Sequence, residues 1–553
     1  MRLLQAIVLT LFVALSVPVP AESAAPTAYS DLVELFHDWR AFESAPRHQG
    51  APDYRAETMA RQLEGLAPLR ARLNRIDITE WPVAYQVDWH LVRAEMNGLE
   101  FNIRVLRPWQ RDPAFYASVW TFQSDTPAHE GPTHHDLVEL WTYDFPLDDA
   151  AAKRLASEIR GIRPLLRQAR GNLTGNAREL WIGGIKNIED QVRDLTELAA
   201  QVDARHPALA SAVQEAIDET EAFARWLREE GEHKTGPSGI GADFYTWHLR
   251  NVHLVPLSWE DERFLLKREL DRAHSSLRLE EHHNRDLPPQ VPISSEDAYA
   301  VRAEQAVKDF LRFLKEEHVL PPYDYLEGAL RAHMGQFIPA ERRNFFYTVS
   351  HHDPLALWTH WYHWFDLARI AAQPHPSPIR RGPLLYNIWD SRAEGMATGF
   401  EEMAMHAGLF DDSPRSRELV YVMLAQRAAR GLGSLRVHAG SATLKEARDF
   451  HVAWTPRGWM REDLDLLGFE QLLYLRQPGY GTSYVTGKYL IERLLAEWSA
   501  QREGPTELRD FFGELDTIGV IPVSLIRWQM TGKDDEIRKL MSPGWTAWPQ
   551  QDP

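Results

Sequence analysis

The sequence contains no cysteine in 553 residues. That single absence removes disulfides, thiolate-bound zinc, a cysteine nucleophile and any lipidated cysteine among these residues. A metal would have to sit on His, Asp or Glu. Positive charge is also short: 61 Lys and Arg stand against 79 Asp and Glu, a formal net charge of −18. No basic stripe is available to neutralise phosphates, so nucleic acid is not expected as a partner. The motifs of nucleophile and nucleotide enzymes are missing as well. There is no G-x-S-x-G elbow, no P-loop and no G-x-G-x-x-G cradle.

Long apolar runs are scarce, and the one present is N-terminal. It reads MRLLQAIVLTLFVALSVPVPA, with an apolar stretch from Leu3 to Val17 and small residues at Val19-Pro20-Ala21. This pattern predicts a secretory signal over residues 1–21, since the stretch falls short of the roughly 20 apolar residues that a bilayer requires. No later segment is apolar and long enough to span. The expectation is an exported protein, periplasmic or extracellular.

What the sequence has in quantity is helical periodicity. Apolar residues recur every three or four positions over Ala152–Gln168, Ile188–Val202 and Leu209–Glu229, with charges between them. Gly161 and Pro164 interrupt the first of these and predict a kink or break there. Strand-like alternation is rare, so the predicted fold class is all-α with at most a few short strands. The Gly-rich stretch Gly231–Gly241 divides an N-terminal helical half, 27–235, from a C-terminal half, 236–553, and both are expected to belong to one domain. The 20 tryptophans are read as bulky core and groove lining.

Two segments of the C-terminal half carry chemistry. In Trp358–Ile370, WTHWYHWFDLARI, the residues His360 and His363 stand three apart, which places both imidazoles on one helix face, and Asp366 continues the row. The competing reading makes these histidines groove lining, interleaved with Trp361 and Trp364. In EGMATGFEEM, starting at Glu394, the residues Glu394 and Glu401 share a face but lie about 10 Å apart along the axis. One ion cannot take both, so a ligand at Glu394 would leave Glu401 to orient a ligand or face substrate. A third segment, HEGPTHH from His129 to His135, looks like a zinc-protease signature but lacks the spacing. Its His129 and His134 are five apart, and Gly131-Pro132 predicts a turn instead of a helix.

Several C-terminal blocks resemble the DUF885 family, helical proteins related to zincin metallopeptidases. EGMATGFE, Glu394 to Glu401, is similar to the family's EGWALYAE. RGLGSLRVH, Arg430 to His438, is similar to RLVVDTGIH, and PGYGTSYVTG, Pro478 to Gly487, to PGQALSYKIG. Weaker similarity extends upstream through residues 241–262, and the resemblance covers most of the chain beyond the signal. There are departures. The family's HEGxPGHH motif is replaced by LWTHWYHWFDLA, Ser434 stands where the family has Asp, Met396 and Gly399 replace Trp and Tyr, and Phe512 replaces a histidine.

The resemblance implies a zincin-like helical scaffold, and two readings of it stay open. In the first, the chain is a divergent secreted metal-dependent hydrolase, peptidase-like, acting on a peptide or small molecule in a Trp-lined cleft. His360, His363 and Glu394 would then hold one divalent ion, zinc by preference. Asp366, Glu401 or Glu402 would act as general base, Tyr484 or His438 would stabilise the oxyanion, and Arg430, Trp361 and Trp364 would bind substrate. In the second, the chain is a non-catalytic binding protein, a pseudoenzyme that keeps the cleft and binds no metal.

Overall fold

The computed structural model describes residues 29–124, 137–202, 204–382, 385–386 and 390–550. These residues build a mainly α-helical molecule. Two small sheets interrupt it: Arg47–His48 pairs antiparallel with Ala51–Pro52, and Val119–Trp120 pairs parallel with Val138–Glu139. Among the described residues, no helix is long and apolar enough to cross a membrane. The signal segment and the His129–His135 stretch lie outside the described residues.

Local chemistry sets the helix boundaries. Ser258 starts the helix Trp259–His283: its hydroxyl accepts from the Asp261 amide while the Asp261 carboxylate accepts from the Ser258 amide. Thr443 and Glu446 do the same for Leu444–Trp454. The periodic stretch around Gly161 is two helices, Asp149–Ile159 and Ile162–Asn172. Pro164 falls in the first turn of the second, where its missing N–H leaves no intrahelical acceptor empty.

At the Gly-rich stretch the chain leaves the helix Pro207–Gly231 and re-enters helix at Ala242. The core does not divide there. One contiguous buried cluster includes Tyr29, Trp181, Leu266, Met423 and Phe512, so side chains from both halves share one apolar interior.

The site rests on close helix crossings. Asp390–His406 packs along Tyr480–Ala500, which also contacts Pro414–His438. At the first crossing Gly395 faces Gly487: a Cβ on Gly395 would lie 2.4 Å from the Gly487 backbone, and one on Gly487 2.1 Å from the Ser391 carbonyl oxygen. At the second, a Cβ on Gly431 would lie 2.7 Å from the Gly481 oxygen. Only glycine permits backbones this near, and Glu394 sits immediately beside the first contact.

Candidate metal centre

His360 and His363 do not share one regular helix. His360 lies in a 3-10 turn, Thr359–Trp361, and His363 in the first turn of Tyr362–Ala372. Because a 3-10 turn eclipses residues three apart, the two rings still face the same way. Their centroids are 5.0 Å apart and the planes nearly perpendicular, at 83°.

Opposite them stands Glu394, with 1 % of its surface exposed. Its Oε2 lies 3.0 Å from His363 Nε2 and 3.5 Å from His360 Nε2, and one ligand atom from each of the three residues falls within 4.8 Å of the others. Zinc bonds of about 2.0–2.1 Å in tetrahedral array separate ligand atoms by roughly 3.3 Å. The two measured edges bracket that value, and a two-imidazole, one-carboxylate set suits a divalent ion.

His360 and Glu394 are each held from behind. His360 Nδ1 lies 2.9 Å from Glu401 Oε1 and 3.1 Å from Arg427 Nη2. Nδ1 cannot both donate to the carboxylate and accept from the guanidinium. The contact at Nδ1 that is aligned as a hydrogen bond is the one from Arg427 Nη2, whose Nη1 also donates to Glu401 Oε2 at 2.7 Å; Glu401 Oε1 makes ion-pair contacts only, at 2.9 Å to His360 and 2.7 Å to Arg427. Nδ1 then accepts from the guanidinium and the proton of a neutral His360 sits on Nε2, toward Glu394; an ion taking Nε2 would move that proton to Nδ1, beside Glu401. Glu394 Oε1 accepts from the Tyr480 hydroxyl at 2.5 Å. Burial by itself would raise the Glu394 carboxyl, but His363 and His360 beside it hold it well below the usual carboxylate range.

The remaining residues singled out from sequence fall in several places. The Tyr484 ring lies nearly parallel to His360, at 6.1 Å and 13°, and the Arg430 guanidinium sits 3.9 Å from the Tyr484 centroid. Arg430 also forms a buried ion pair with Glu470. Asp366 does not point its charge at the triad: it accepts from Arg392 at 3.0 and 3.1 Å and from Arg369 at 3.1 Å. Asp516 completes that second cluster, with its carboxyl pushed up to about 6 by burial, opposed by Arg369 and reinforced by Asp366. Glu402 pairs with Arg272 and Lys488.

His438 stands eleven residues beyond Arg427 on the same helix, about 16 Å along its axis. There its Nε2 meets the Tyr474 carbonyl at 2.9 Å, and burial pushes its pKa down to about 4. Trp361 stacks on Trp358 at 4.8 Å, and Trp364 on His333 at 3.4 Å. The sequence reading passed over Arg427 and Tyr480. Both had a signal: Arg427 precedes Arg430 by three and Tyr480 precedes Tyr484 by four, so each pair shares a helix face.

No protein-family model and no curated protein matches the sequence. Among solved structures, the chain is similar to a "putative lipoprotein of unknown function" from Shewanella oneidensis, with a TM-score of 0.64, 14% identity, and coverage of 91% of this chain and 98% of that one. It is also similar to a protein of the same description, "putative lipoprotein", from Colwellia psychrerythraea, with a TM-score of 0.62, 12% identity, and coverage of 91% and 99%. At these identities the likeness is one of fold, and it extends over nearly the whole of both neighbours.

Proposed function

We propose that the chain is a divergent, exported metal-dependent hydrolase, related to the DUF885 proteins, that binds one divalent ion through His360, His363 and Glu394 and acts on a peptide or small molecule. The observation that carries this reading is the ligand geometry: three donors, His363 and Glu394 buried and His360 half-buried, with Glu394 Oε2 3.0 and 3.5 Å from the two imidazoles and the Glu401 carboxylate 2.9 Å behind His360. Export is supported by the N-terminal signal pattern and by the description of both structural neighbours as lipoproteins. This chain has no cysteine to carry a lipid among its 553 residues.

An ion held there would activate water and polarise a carbonyl. The chain's own groups divide the remaining work. Glu401 and Arg427 orient His360, Tyr480 orients Glu394, and Tyr484 brings a phenol beside His360, where a hydrogen bond to developing negative charge is useful. Trp361 and Trp364 offer aromatic surface to an apolar substrate group.

The binding-protein reading keeps one specific support. Glu401 is committed to Arg427 and Asp366 to Arg392, so both carboxylates are held in buried ion pairs instead of standing ready as bases. Elemental analysis of protein purified without an affinity tag, with melting curves in the presence and absence of EDTA, separates the two. The hydrolase reading expects stoichiometric metal and a melting temperature that falls on chelation. At a thousandfold excess of ligand over Kd the linkage is worth about 4 kcal/mol. Metal-free protein with an EDTA-insensitive melt would leave the binding-protein reading standing.

A further inference from the structure

We propose a second site, independent of the metal centre: a groove lined by Arg104, Arg107 and Arg111 that binds a small oxyanion, phosphate or carboxylate, carrying a short apolar group. The groove encloses about 480 Å³ between residues 104–111, 174–176 and 237–244. That is within the range of small-molecule sites. None of the described residues lining it is Asp or Glu. In a protein of net charge −18, a concave surface with three guanidiniums and no acid runs against the general field.

The three arginines are under-compensated. Arg104 shares the single carboxylate of Glu100 with Arg70, at 2.7 and 2.6 Å. Arg111 donates to backbone carbonyls, at 2.8 Å to Ser238 and 3.4 Å to Pro237 and Leu106, and has no carboxylate partner among the described residues. The adjacent Asp112 is taken by Arg476. Burial and the like charge of Arg107 push the Arg111 pKa down, with Asp112 partly offsetting them, and a bound anion would relieve the repulsion from Arg107. The Arg107 side chain is exposed and makes no hydrogen bond or ion pair among the described residues.

The backbone adds a separate observation. The helix Val83–Phe101 runs into a π-helical turn, Asn102–Leu106, and Arg107 follows in the left-handed region at φ 43, ψ 53. A non-glycine residue held there is disfavoured locally, and such conformations concentrate at binding sites. The opposite wall is fixed in advance. Asn176 Oδ1 accepts from the Thr235 and Gly236 amides at 2.7 and 2.9 Å, and Gly175 donates to the Gln110 carbonyl at 2.8 Å. Ile240 and Phe244 supply the apolar side, which is why the ligand is given an apolar group as well as a charge.

The test is titration of the full chain, by calorimetry, with octyl phosphate and octanoate below their micellar concentrations, inorganic phosphate, and octanol. One of the two octyl anions should bind saturably and lose affinity as NaCl is raised. Which of them binds tighter names the oxyanion. Inorganic phosphate should bind at least tenfold more weakly and octanol not measurably. Arg107→Glu, on an exposed side chain, should leave the melting temperature unchanged and weaken octyl-anion binding by tenfold or more. Phe244→Ser should reduce the advantage of octyl phosphate over inorganic phosphate. Binding must persist in Glu394→Gln, which separates this site from an anion coordinated at the metal centre. Equal binding of octanol, undiminished binding by Arg107→Glu, or loss of binding in Glu394→Gln would each overturn the proposal.

Discussion

His360 uses both ring nitrogens, and that decides what each neighbour contributes. If an ion takes Nε2, the ring proton moves to Nδ1, 2.9 Å from Glu401 Oε1, so Glu401 would act through His360. Glu401→Gln should keep the shape but lose the anionic acceptor, lowering metal affinity by roughly tenfold to a hundredfold with little change in fold, as measured by competition with a chromogenic chelator. Unchanged affinity would show that Glu401 serves only Arg427. The pair Asp366–Arg392 gives a contrasting expectation. Both side chains are buried, and Asp366→Asn removes the charge that Arg392 requires. Stability should drop by about 3–5 kcal/mol in urea unfolding, while metal content stays at the wild-type level. A metal-free Asp366→Asn protein that remains folded would return Asp366 to the site.

At the scale of helices, the glycine crossing determines whether a site exists at all. Gly487→Ala drives a Cβ to 2.1 Å from the Ser391 carbonyl oxygen, a backbone atom that cannot rotate away. The helices 390–406 and 480–500 must separate, at a cost of about 1–3 kcal/mol or more, and the Tyr480 bond to Glu394 should lengthen with them. The expected outcome is a lower melting temperature together with weaker metal binding. Gly399→Ala, on the same helix as Glu394, is the control. Its Cβ would meet Lys488 and Met403 at an ordinary 3.8 Å, so the better helix former should stabilise by up to about 1 kcal/mol. If both substitutions destabilise alike, the crossing is not what spaces the ligands.

For the molecule as a whole, buried titratable groups set the acid response. Burial pushes His90 and His253 down to about 3, and His375 and His438 to about 4. An unfolded histidine titrates near 6.5. Between that value and the folded one, the unfolded chain holds more protons. Stability from these four is therefore complete above about pH 6.5 and lost as pH falls toward 4. Carboxyls raised by burial oppose them, Asp194 and Glu470 among them. Burial raises Glu262 to about 7 and Asp516 to about 6, so the folded form holds their protons and stability falls as pH rises from about 4.5 through those values. Burial also lowers His248, His351, His352 and His451, so the histidines outnumber the raised carboxyls and urea unfolding should show lower stability at pH 5.5 than at 7. The slope should be on the order of 1.4 kcal/mol per pH unit for each histidine in excess, and His90→Gln should flatten it. Higher stability at pH 5.5 would mean that the carboxyls dominate.

The sequence by itself determined the helical class, the break at Gly161, the absence of nucleotide and serine-nucleophile motifs, and the pairing of His360 with His363. Those follow from periodicity, punctuation and spacing, which act within a few residues. It also placed Glu401 too far along its helix from Glu394 to share an ion, because rise per residue is fixed. Partner choice was decided only by the tertiary structure. That Arg427 takes Glu401, that Asp366 turns to Arg392, that Arg430 goes to Glu470, and that His438 ends at Tyr474 all depend on which helices meet and at what height. A carboxylate carries no mark in sequence of the guanidinium it will find, since burial makes any charge pair with whichever opposite charge packing brings within reach. The glycines that set those heights, Gly395, Gly431, Gly481 and Gly487, were visible as letters, but their meaning lay in the backbone atoms opposite them.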